Sequence, residues 1–181
     1  FMKTLKYYLE KAKKEKWALG QFNFCTLDQL KGTVNALSES QSPAILGTSE
    51  GESKFFGLEL AVAVRDVFRK KYGVSIFLNL DHGKDLEYIK NAIDAGYDAV
   101  HYDGSALPLE ENIENMGIIA KYASRKKVLV EGEIGVIKGE SSMHVEKLEV
   151  NKDDLAQLKD VLDFINKVKV DNLAAAVGTT H

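Results

Sequence analysis

Short apolar segments alternate with amphipathic helical segments along almost the whole chain. The first helical segment places Leu5, Tyr8, Leu9 and Ala12 at i, i+3, i+4 and i+7, the period of a helix with one buried face. The segments between helices are apolar on both faces, as in a parallel sheet covered by helices. The predicted strands are 17–24, 44–49, 74–80, 99–102, 128–134 and 173–177, and the remaining predicted helices are 26–40, 55–72, 85–95, 110–124 and 151–167.

The spacing of these segments predicts an α/β fold, and within that class a (β/α)8 TIM barrel. Strand starts recur at the interval of one β/α unit of such a barrel. A doubly wound open sheet gives a similar string, but no GxGxxG follows the first strand, so a dinucleotide-binding version has no support. Polar residues able to do chemistry follow the predicted strand ends, where barrel loops converge on one face. These residues are Asn23, Ser49, Asp81, His82, Asp103, Glu133 and His181.

The length of the chain conflicts with a complete barrel. A barrel needs about 250 residues and eight units. The chain has 181 residues and about six predicted units. We therefore expect residues 1–181 to form a single domain that is an incomplete barrel lacking the last two strands.

Composition excludes several classes of partner. The net charge of −3 gives no sign of a nucleic-acid or anionic-membrane surface. Cys25 is the single cysteine, so no intramolecular disulfide can form, which fits the reducing cytoplasm. No apolar run is long enough to span a bilayer. We expect a cytoplasmic protein with no nucleic-acid or membrane partner.

The sharpest local motif is Leu80-Asp81-His82-Gly83, predicted to lie in the loop after the third strand. An imidazole at a strand end is well placed to bind a metal ion. The adjacent carboxylate of Asp81 can act as a general acid or base. Taken alone, the motif has an ordinary alternative, in which Asp81 caps the next helix and His82 is partly buried.

Histidines elsewhere give an incomplete ligand set. His181 ends the segment Gly178-Thr179-Thr180-His181, again just after a predicted strand, with a flexible terminal residue as the alternative. A catalytic zinc site usually has three protein ligands and an open position. His101 falls inside the fourth strand and His144 in a polar loop, so neither is predicted as the third ligand, which is expected beyond residue 181.

Carboxylates at two further strand ends extend the candidate site. Glu131 and Glu133 are two residues apart on the fifth strand and so point to the same side of the sheet. Paired buried carboxylates need a cation or hydrogen bonds, so a metal contact or a salt bridge to a lysine is predicted. Asp103 ends the fourth strand, as a metal ligand or a helix cap.

In order along the chain, GQFNF, AILGTSEG, LNLDHG, YDGS with PLEENI, VEGEIG and AAAVGTTH resemble the class II, zinc-dependent fructose-bisphosphate and tagatose-bisphosphate aldolases. The resemblance covers essentially the whole chain. It implies that His82 and His181 are zinc ligands and that Asp81 is the acid/base. It further implies that Asp103 and Glu133 contact an alternative zinc position or a second cation.

The resemblance also implies how substrate is handled. Asn23, Ser49 and Gly178 match substrate-contacting positions, and Glu140 is the nearest candidate for a catalytic glutamate on a mobile loop. That loop departs from the family, because ESS follows Gly139 where an acidic pair is usual. The third zinc histidine and the phosphate-binding loop would lie beyond residue 181.

The expected reaction is the zinc-dependent, reversible cleavage of fructose 1,6-bisphosphate to dihydroxyacetone phosphate and glyceraldehyde 3-phosphate. Tagatose bisphosphate is an alternative substrate. A truncated or non-catalytic aldolase-like fragment and a different divalent-metal aldolase are the alternatives in other classes. The resemblance further implies a homo-oligomer, either a dimer or a tetramer.

Overall fold

Six parallel strands form one sheet in the computed structural model, which describes residues 3–137 and 149–179. The strands are β1 Gln21–Asn23, β2 Ala44–Ser49, β3 Ile76–Gly83, β4 Ala99–Tyr102, β5 Leu129–Ile134 and β6 Asn172–Ala175. The helices are α1 Leu5–Glu15, α2 Leu27–Ser40, α3 Glu50–Phe56, α4 Leu58–Tyr72, α5 Leu86–Ala95, α6 Leu109–Lys126 and α7 Leu158–Lys167, with a 3₁₀ turn at Lys152–Asp154.

The order of the strands in the sheet follows their order in the chain, from β1 to β6. Every neighbouring pair is parallel. A doubly wound sheet reverses its strand order at a switch point, whereas a barrel adds each strand beside the previous one. The topology therefore confirms a partial β/α barrel of six strands and excludes the doubly wound alternative.

Side-chain caps fix where the helices begin. Thr26 and Ser49 each accept a hydrogen bond from the main chain three residues later in a capping box, which starts α2 and α3. Asp85 caps α5 by accepting from the main-chain N–H groups of Glu87 and Tyr88. Since β2 ends at Ser49, α3 follows its strand without any loop.

Two apolar layers enclose the sheet. The larger layer lies between the strands and helices α2 to α7, and includes Leu30, Leu46, Leu78 and Ile89. The smaller layer lies on the inner face, where Leu5 of α1 packs with Phe77 and Ala99. Helix α1 therefore covers the amino-terminal half of the inner face and leaves its carboxyl-terminal half open.

Two predicted helices differ from the structure. The predicted helix 55–72 is two helices, because Gly57 takes a φ of 93° that interrupts the main-chain hydrogen bonding between α3 and α4. The predicted helix 151–167 is a short 3₁₀ turn followed by α7 from Leu158. Only the second half of the predicted segment is an α-helix.

The third strand is longer at its carboxyl end than the sequence indicated. β3 continues to Gly83, so Asp81 and His82 are strand residues and not part of a following loop. The pairing of β3 with β4 shifts between Leu80 and Gly83, and His82 has a φ of 49°. This irregularity turns the last residues of β3.

An ion-pair network anchors the opposite end of the sheet. The Asp98 carboxylate precedes β4 and accepts hydrogen bonds from the main-chain N–H of Leu78, from Arg65 Nη1 at 2.7 Å and from Arg69 Nη2 at 3.0 Å. Arg65 also donates to the carbonyl of Gly96, and its side chain is only 6% exposed. Asp98 thus connects α4, β3 and β4.

Replacing Asp98 by alanine should destabilise the fold strongly, because it leaves the buried Arg65 guanidinium without its main partner. We expect the free energy of unfolding in urea to fall by about 3 kcal/mol or more. Asp66→Ala is the matched control, because Asp66 pairs with the same arginines but is 56% exposed. It should cost about 1 kcal/mol or less. Equal losses for the two variants would contradict this account of the network.

Candidate metal centre and acid/base carboxylate

The carboxyl-terminal half of the inner face carries polar side chains from β1, β3, β4, β5 and β6. Pairing aligns Gln21, Asn79 and Asp81 of β1 and β3 with His101 and Glu131 of β4 and β5, all on the same side of the sheet. A cleft of about 510 Å³ opens here. Its polar lining comprises Gln21, Asp81, His82, His101, Glu131, Glu133 and Asn172.

Two amides from β1 hold Asp81. Gln21 Nε2 donates to Oδ1 at 3.1 Å, and Asn23 Nδ2 donates to Oδ2 at 2.7 Å. Burial by itself would raise the pKa of Asp81, but hydrogen bonding to His101 and Asn23 and the charge of His82 lower it to about 2. In the metal-free protein Asp81 is therefore ionised at neutral pH and can accept a proton.

Gly47 makes room for one of these amides. It pairs with Asn23 across β1 and β2, and a Cβ atom on Gly47 would lie 1.9 Å from Asn23 Oδ1. The absence of a side chain at Gly47 therefore lets Asn23 reach Asp81.

His82 lies between two carboxylates. Its Nδ1 is 3.4 Å from Asp103 Oδ2 and 3.4 Å from Glu133 Oε2. The interaction with Asp103 is the main reason that the pKa of His82 is raised above its ordinary value. Because adjacent strand residues point to opposite sides, the positive φ at His82 allows it to join the cleft beside Asp81.

Asp103 is itself fixed by its neighbours. Its Oδ1 accepts hydrogen bonds from the Ser105 hydroxyl at 2.6 Å and the Ser105 main-chain N–H at 3.2 Å. Burial alone would raise the pKa of Asp103, but His82 and Ser105 lower it well below its usual range. Lys84 Nζ lies 3.8 Å from Asp103 Oδ2, and its side chain is largely exposed.

His101 is buried beneath His82. The centroids of the two rings are 4.6 Å apart, and His101 is 4% exposed. Its Nε2 lies 3.0 Å from Glu133 Oε2 and its Nδ1 lies 3.8 Å from Asp81 Oδ1. Burial opposes the charged ring, but Asp81 and Glu133 outweigh it and raise the pKa of His101 to about 10.

Glu133 is the most deeply buried carboxylate of the cluster, at 1% exposure. The distance between Glu133 Oε2 and His101 Nε2 suits an ion pair, yet neither atom has a well-oriented hydrogen-bond partner in residues 3–137 and 149–179. Glu131 lies two residues earlier on the same side, and burial raises its pKa. The two glutamates of β5 therefore differ in their surroundings.

The structure gathers five of the predicted site residues at one end of the sheet: Asn23, Asp81, His82, Asp103 and Glu133. Ser49 pairs with Asp81 across β2 and β3, but its hydroxyl caps α3. Gly178 is exposed after β6 and has a φ of 104°. Glu140 and His181 lie outside the described residues, so their predicted roles stay predictions.

The helix-cap alternatives for Asp81 and Asp103 are wrong. The cap of α5 is Asp85, and α6 begins after Pro108. No lysine reaches Glu133 among the described residues, where its ion-pair partners are His82 and His101. His101, which the sequence placed inside a strand and not among the ligands, lies with Asp81 and His82 in a group that could hold a metal ion.

The alternation of side chains along each strand indicates the inner-face positions of Gln21, Asn79 and His101, which the strand-end pattern alone does not. His101 lies two residues before Asp103, and Gln21 lies two residues before Asn23, so each pair faces the same side of its strand. Applying the alternation to every strand would have placed Gln21, Asn79 and His101 on the inner face. Lys84 follows β3 and had no such signal.

The donor set of the cleft fits a divalent metal ion. His82, Asp103 and Glu133 each offer a ligand atom within 4.8 Å of the others, and Asp81, His82 and His101 do the same. Imidazole nitrogen and carboxylate oxygen are zinc ligands. Glu133 Oε2 is a second indication, because it is buried beside His82 and His101 but makes no well-oriented hydrogen bond among the described residues.

Fold and site together define a class of protein: a parallel β/α barrel with a histidine–carboxylate metal centre next to an ionised aspartate. The family model described as "Fructose-bisphosphate aldolase class-II" matches residues 3–181. The chain therefore belongs to the class II fructose-bisphosphate aldolase family.

Individual relatives agree with the family. The fructose-bisphosphate aldolase of Giardia intestinalis is 33% identical over 179 residues, which cover 98% of this chain and 54% of that protein. The 6-phospho-5-dehydro-2-deoxy-D-gluconate aldolase of Shouchella clausii is 33% identical over 176 residues, covering 96% and 58%. The chain thus spans little more than half the length of these relatives.

A solved structure supports the fold. The YdjI aldolase of Escherichia coli K12 superimposes with a TM-score of 0.83 at 24% identity, over 100% of this chain and 64% of that one.

Among the residues that our structure describes, no helix is long and apolar enough to cross a membrane.

Adding a methyl group at Gly47 should displace Asn23 from Asp81. We expect Gly47→Ala to lower the free energy of unfolding by about 1–3 kcal/mol, because the side chains must shift to accommodate it. Gly32→Ala is the control, since a Cβ there meets nothing within 4 Å and Gly32 lies inside α2. It should be neutral or stabilising by up to about 1 kcal/mol. Urea unfolding of both variants measures the difference, and an unaffected Gly47→Ala protein would contradict this packing.

The metal-free protein should lose stability as the pH rises above neutrality. The folded-state pKa of His101 is raised to about 10 from 6.5, so its contribution is complete below about pH 6.5 and disappears as the pH approaches 10. We expect a fall on the order of a few kcal/mol in the free energy of unfolding between pH 6.5 and 10. His101→Gln should flatten this profile. The same slope in both proteins would show that His101 does not carry the effect.

Proposed function

We propose that this chain provides the acid/base and part of the metal site of a class II aldolase, a metal-dependent lyase that cleaves a phosphorylated ketose. Family membership supports the reaction class. The observation that carries the proposal is the position of Asp81, held by two amide donors directly beside the His82 group.

Asp81 acts as the acid/base in this proposal. In the cleavage direction it accepts the proton of the substrate hydroxyl whose carbon–carbon bond breaks, and in condensation it returns that proton. Gln21 and Asn23 keep both carboxylate oxygens oriented and favour the ionised form. Their donors approach from β1, which leaves the cleft side of Asp81 for the substrate.

His82 and His181 are the proposed zinc ligands of this chain, with Asp103 and Glu133 at an alternative zinc position or a second cation. Bound zinc would polarise the ketone carbonyl of the substrate as a Lewis acid. His82 is pre-oriented for this role, because Asp103 and Glu133 approach its Nδ1 and Ser105 fixes Asp103.

The proposed substrate is fructose 1,6-bisphosphate, with dihydroxyacetone phosphate and glyceraldehyde 3-phosphate as products. Tagatose bisphosphate remains the alternative. One relative is named for fructose bisphosphate and another for a phosphorylated deoxygluconate derivative. These names support a phosphorylated sugar or sugar acid as the substrate class. Asn23, Ser49 and Gly178 are proposed substrate contacts, and Glu140 is proposed as the mobile-loop acid.

The remaining expectations are proposals as well. We place the protein in the cytoplasm as a homo-oligomer, either a dimer or a tetramer.

The test is an assay of fructose 1,6-bisphosphate cleavage by the longest natural protein that contains this chain, before and after chelation. We expect activity to be lost with the chelator and restored by zinc. Activity that survives complete metal removal would overturn the zinc mechanism. If no ketose bisphosphate is cleaved, the alternative of a non-catalytic aldolase-like protein is favoured.

In the same protein, Asp81→Asn should lower kcat/KM by about 10²–10⁴-fold, the usual contribution of a general acid/base. Asp28→Asn is the matched control, because Asp28 lies on α2 with a side chain that is 96% exposed. Its activity should be unchanged. A small effect of Asp81→Asn, with zinc content intact, would remove Asp81 from the proposed role.

A further inference from the structure

His101 joins Asp81 and His82 in a ligand group separate from the one that His82 forms with Asp103 and Glu133. The first group is here called the inner position and the second the outer position. The inner position offers two ring nitrogens and one carboxylate, a donor set suited to zinc and neighbouring transition metals. His101 belongs to the inner position alone.

The two ring nitrogens of His101 have different surroundings. Nδ1 is 3.8 Å from Asp81 Oδ1, and it receives a long contact of 3.4 Å from the main-chain N–H of His82. Nε2 faces Glu133 Oε2 at 3.0 Å. Histidines that bind metals through one nitrogen usually present the other to a carboxylate or carbonyl oxygen. Glu133 therefore sits where it can orient His101 for coordination through Nδ1.

Burial gives a second indication that something is bound. His101 Nε2 and Glu133 Oε2 are buried 3.0 Å apart, yet in the described part of the chain neither atom makes a well-oriented hydrogen bond. Such atoms are rare in folded proteins and often mark a site for an ion. A cation on the Nδ1 side would fix the ring and let Nε2–H point at the carboxylate.

The spacing of the inner ligands suits a metal ion. Zinc–nitrogen and zinc–oxygen bonds of about 2.0–2.2 Å put neighbouring ligands of a tetrahedral ion about 3.4 Å apart. The distance of 3.8 Å between Asp81 Oδ1 and His101 Nδ1 is close to that value. A closure of about 0.4 Å would bring both atoms into coordination.

Charge also favours a second cation. Asp81, Asp103, Glu131 and Glu133 are all buried or half-buried around the two histidines. One divalent ion at the outer position compensates Asp103 and Glu133, whereas on the inner side Asp81 has only the neutral amides of Gln21 and Asn23 and shares the His101 ring with Glu133. Buried carboxylates without compensation are costly, so the inner side retains affinity for a cation.

We propose that the inner position is a second metal site, at which Asp81 and His101 bind a transition-metal ion when metal exceeds one equivalent. The two positions share His82, and the inner one has a single carboxylate, so it binds more weakly than the outer one. An ion at the inner position coordinates Asp81 and prevents it from accepting a proton. If Asp81 is the acid/base proposed above, excess metal inhibits the enzyme.

The direct test is a cobalt titration of the metal-free full chain, followed by visible absorption and calorimetry without substrate. We expect a tighter and a weaker binding phase. His101→Gln should weaken the second phase by at least about 100-fold, beyond the 10–100-fold typical for loss of a partner behind a ligand. Glutamine keeps a donor for Glu133, which protects the fold. Asp103→Asn should weaken the first phase and retain the second. A His101→Gln titration identical to that of the unmodified chain would refute the inner site.

A second measurement uses the unmodified chain. With ¹⁵N-labelled histidine and zinc in place of cobalt, the Nδ1 resonance of His101 should show the large shift of direct coordination as the second equivalent binds, beyond any change that the first equivalent causes through Glu133. A His101 resonance that ignores the second equivalent would also overturn the proposal. Neither readout needs aldolase activity, so failure of the proposed reaction would not be mistaken for absence of the inner site.

Discussion

The burial of carboxylates at the carboxyl end of β3, β4 and β5 governs the candidate site. Asp81, Asp103 and Glu133 each lie within 4 Å of a histidine nitrogen. Glu131 lies two residues before Glu133 on the same side of β5. Carboxylates removed from water must gain a cation, a donor or a proton. Each of these solutions occurs here: histidines beside Glu133, amides on Asp81, and a raised pKa at Glu131. The same requirement makes the cluster a cation site.

The amino-terminal end of the inner face stabilises the sheet, and the carboxyl-terminal end carries the candidate site. At the amino-terminal end, Leu5 of α1 and Phe77 of β3 pack together, and Asp98 ties the neighbouring strands to α4. At the carboxyl-terminal end the lining includes the histidine and carboxylate cluster and is open to solvent. Stability is therefore concentrated where no chemistry is proposed, as is usual in β/α barrels. The rigid end holds the strands at fixed spacing, and this spacing fixes the distances among His82, Asp103 and Glu133.

Periodicity predicted the fold well. Alternation of strand and helix located all six described strands, and the predicted fourth strand matches β4 residue for residue. The errors arose where one residue overrides a pattern. Gly57 breaks an otherwise continuous helical stretch, and the turn at His82 depends on the shift in pairing between β3 and β4. Neither effect follows from hydrophobic spacing, because both depend on tertiary contacts of the main chain.

Sequence indicated which polar residues at strand ends would lie together, but it did not indicate which polar residues within strands would join them. Asp81, His82, Asp103 and Glu133 were found by their strand-end positions, and the structure brings them together. His101 was missed because an internal strand residue looks structural in sequence. Whether His101 joins the site depends on the side of β4 that it faces and on its distance from Asp81. Strand alternation in the sequence gives the side, but the distance requires the structure.

The central claim is that His82 is a metal ligand next to an aspartate that is not bound to the first ion. Anomalous diffraction at the zinc edge, from crystals of the protein with one equivalent of zinc, tests it directly. We predict a single peak about 2.0–2.1 Å from a ring nitrogen of His82, with Asp81 still held by Gln21 and Asn23. A zinc peak elsewhere, or no peak near His82, would contradict the account.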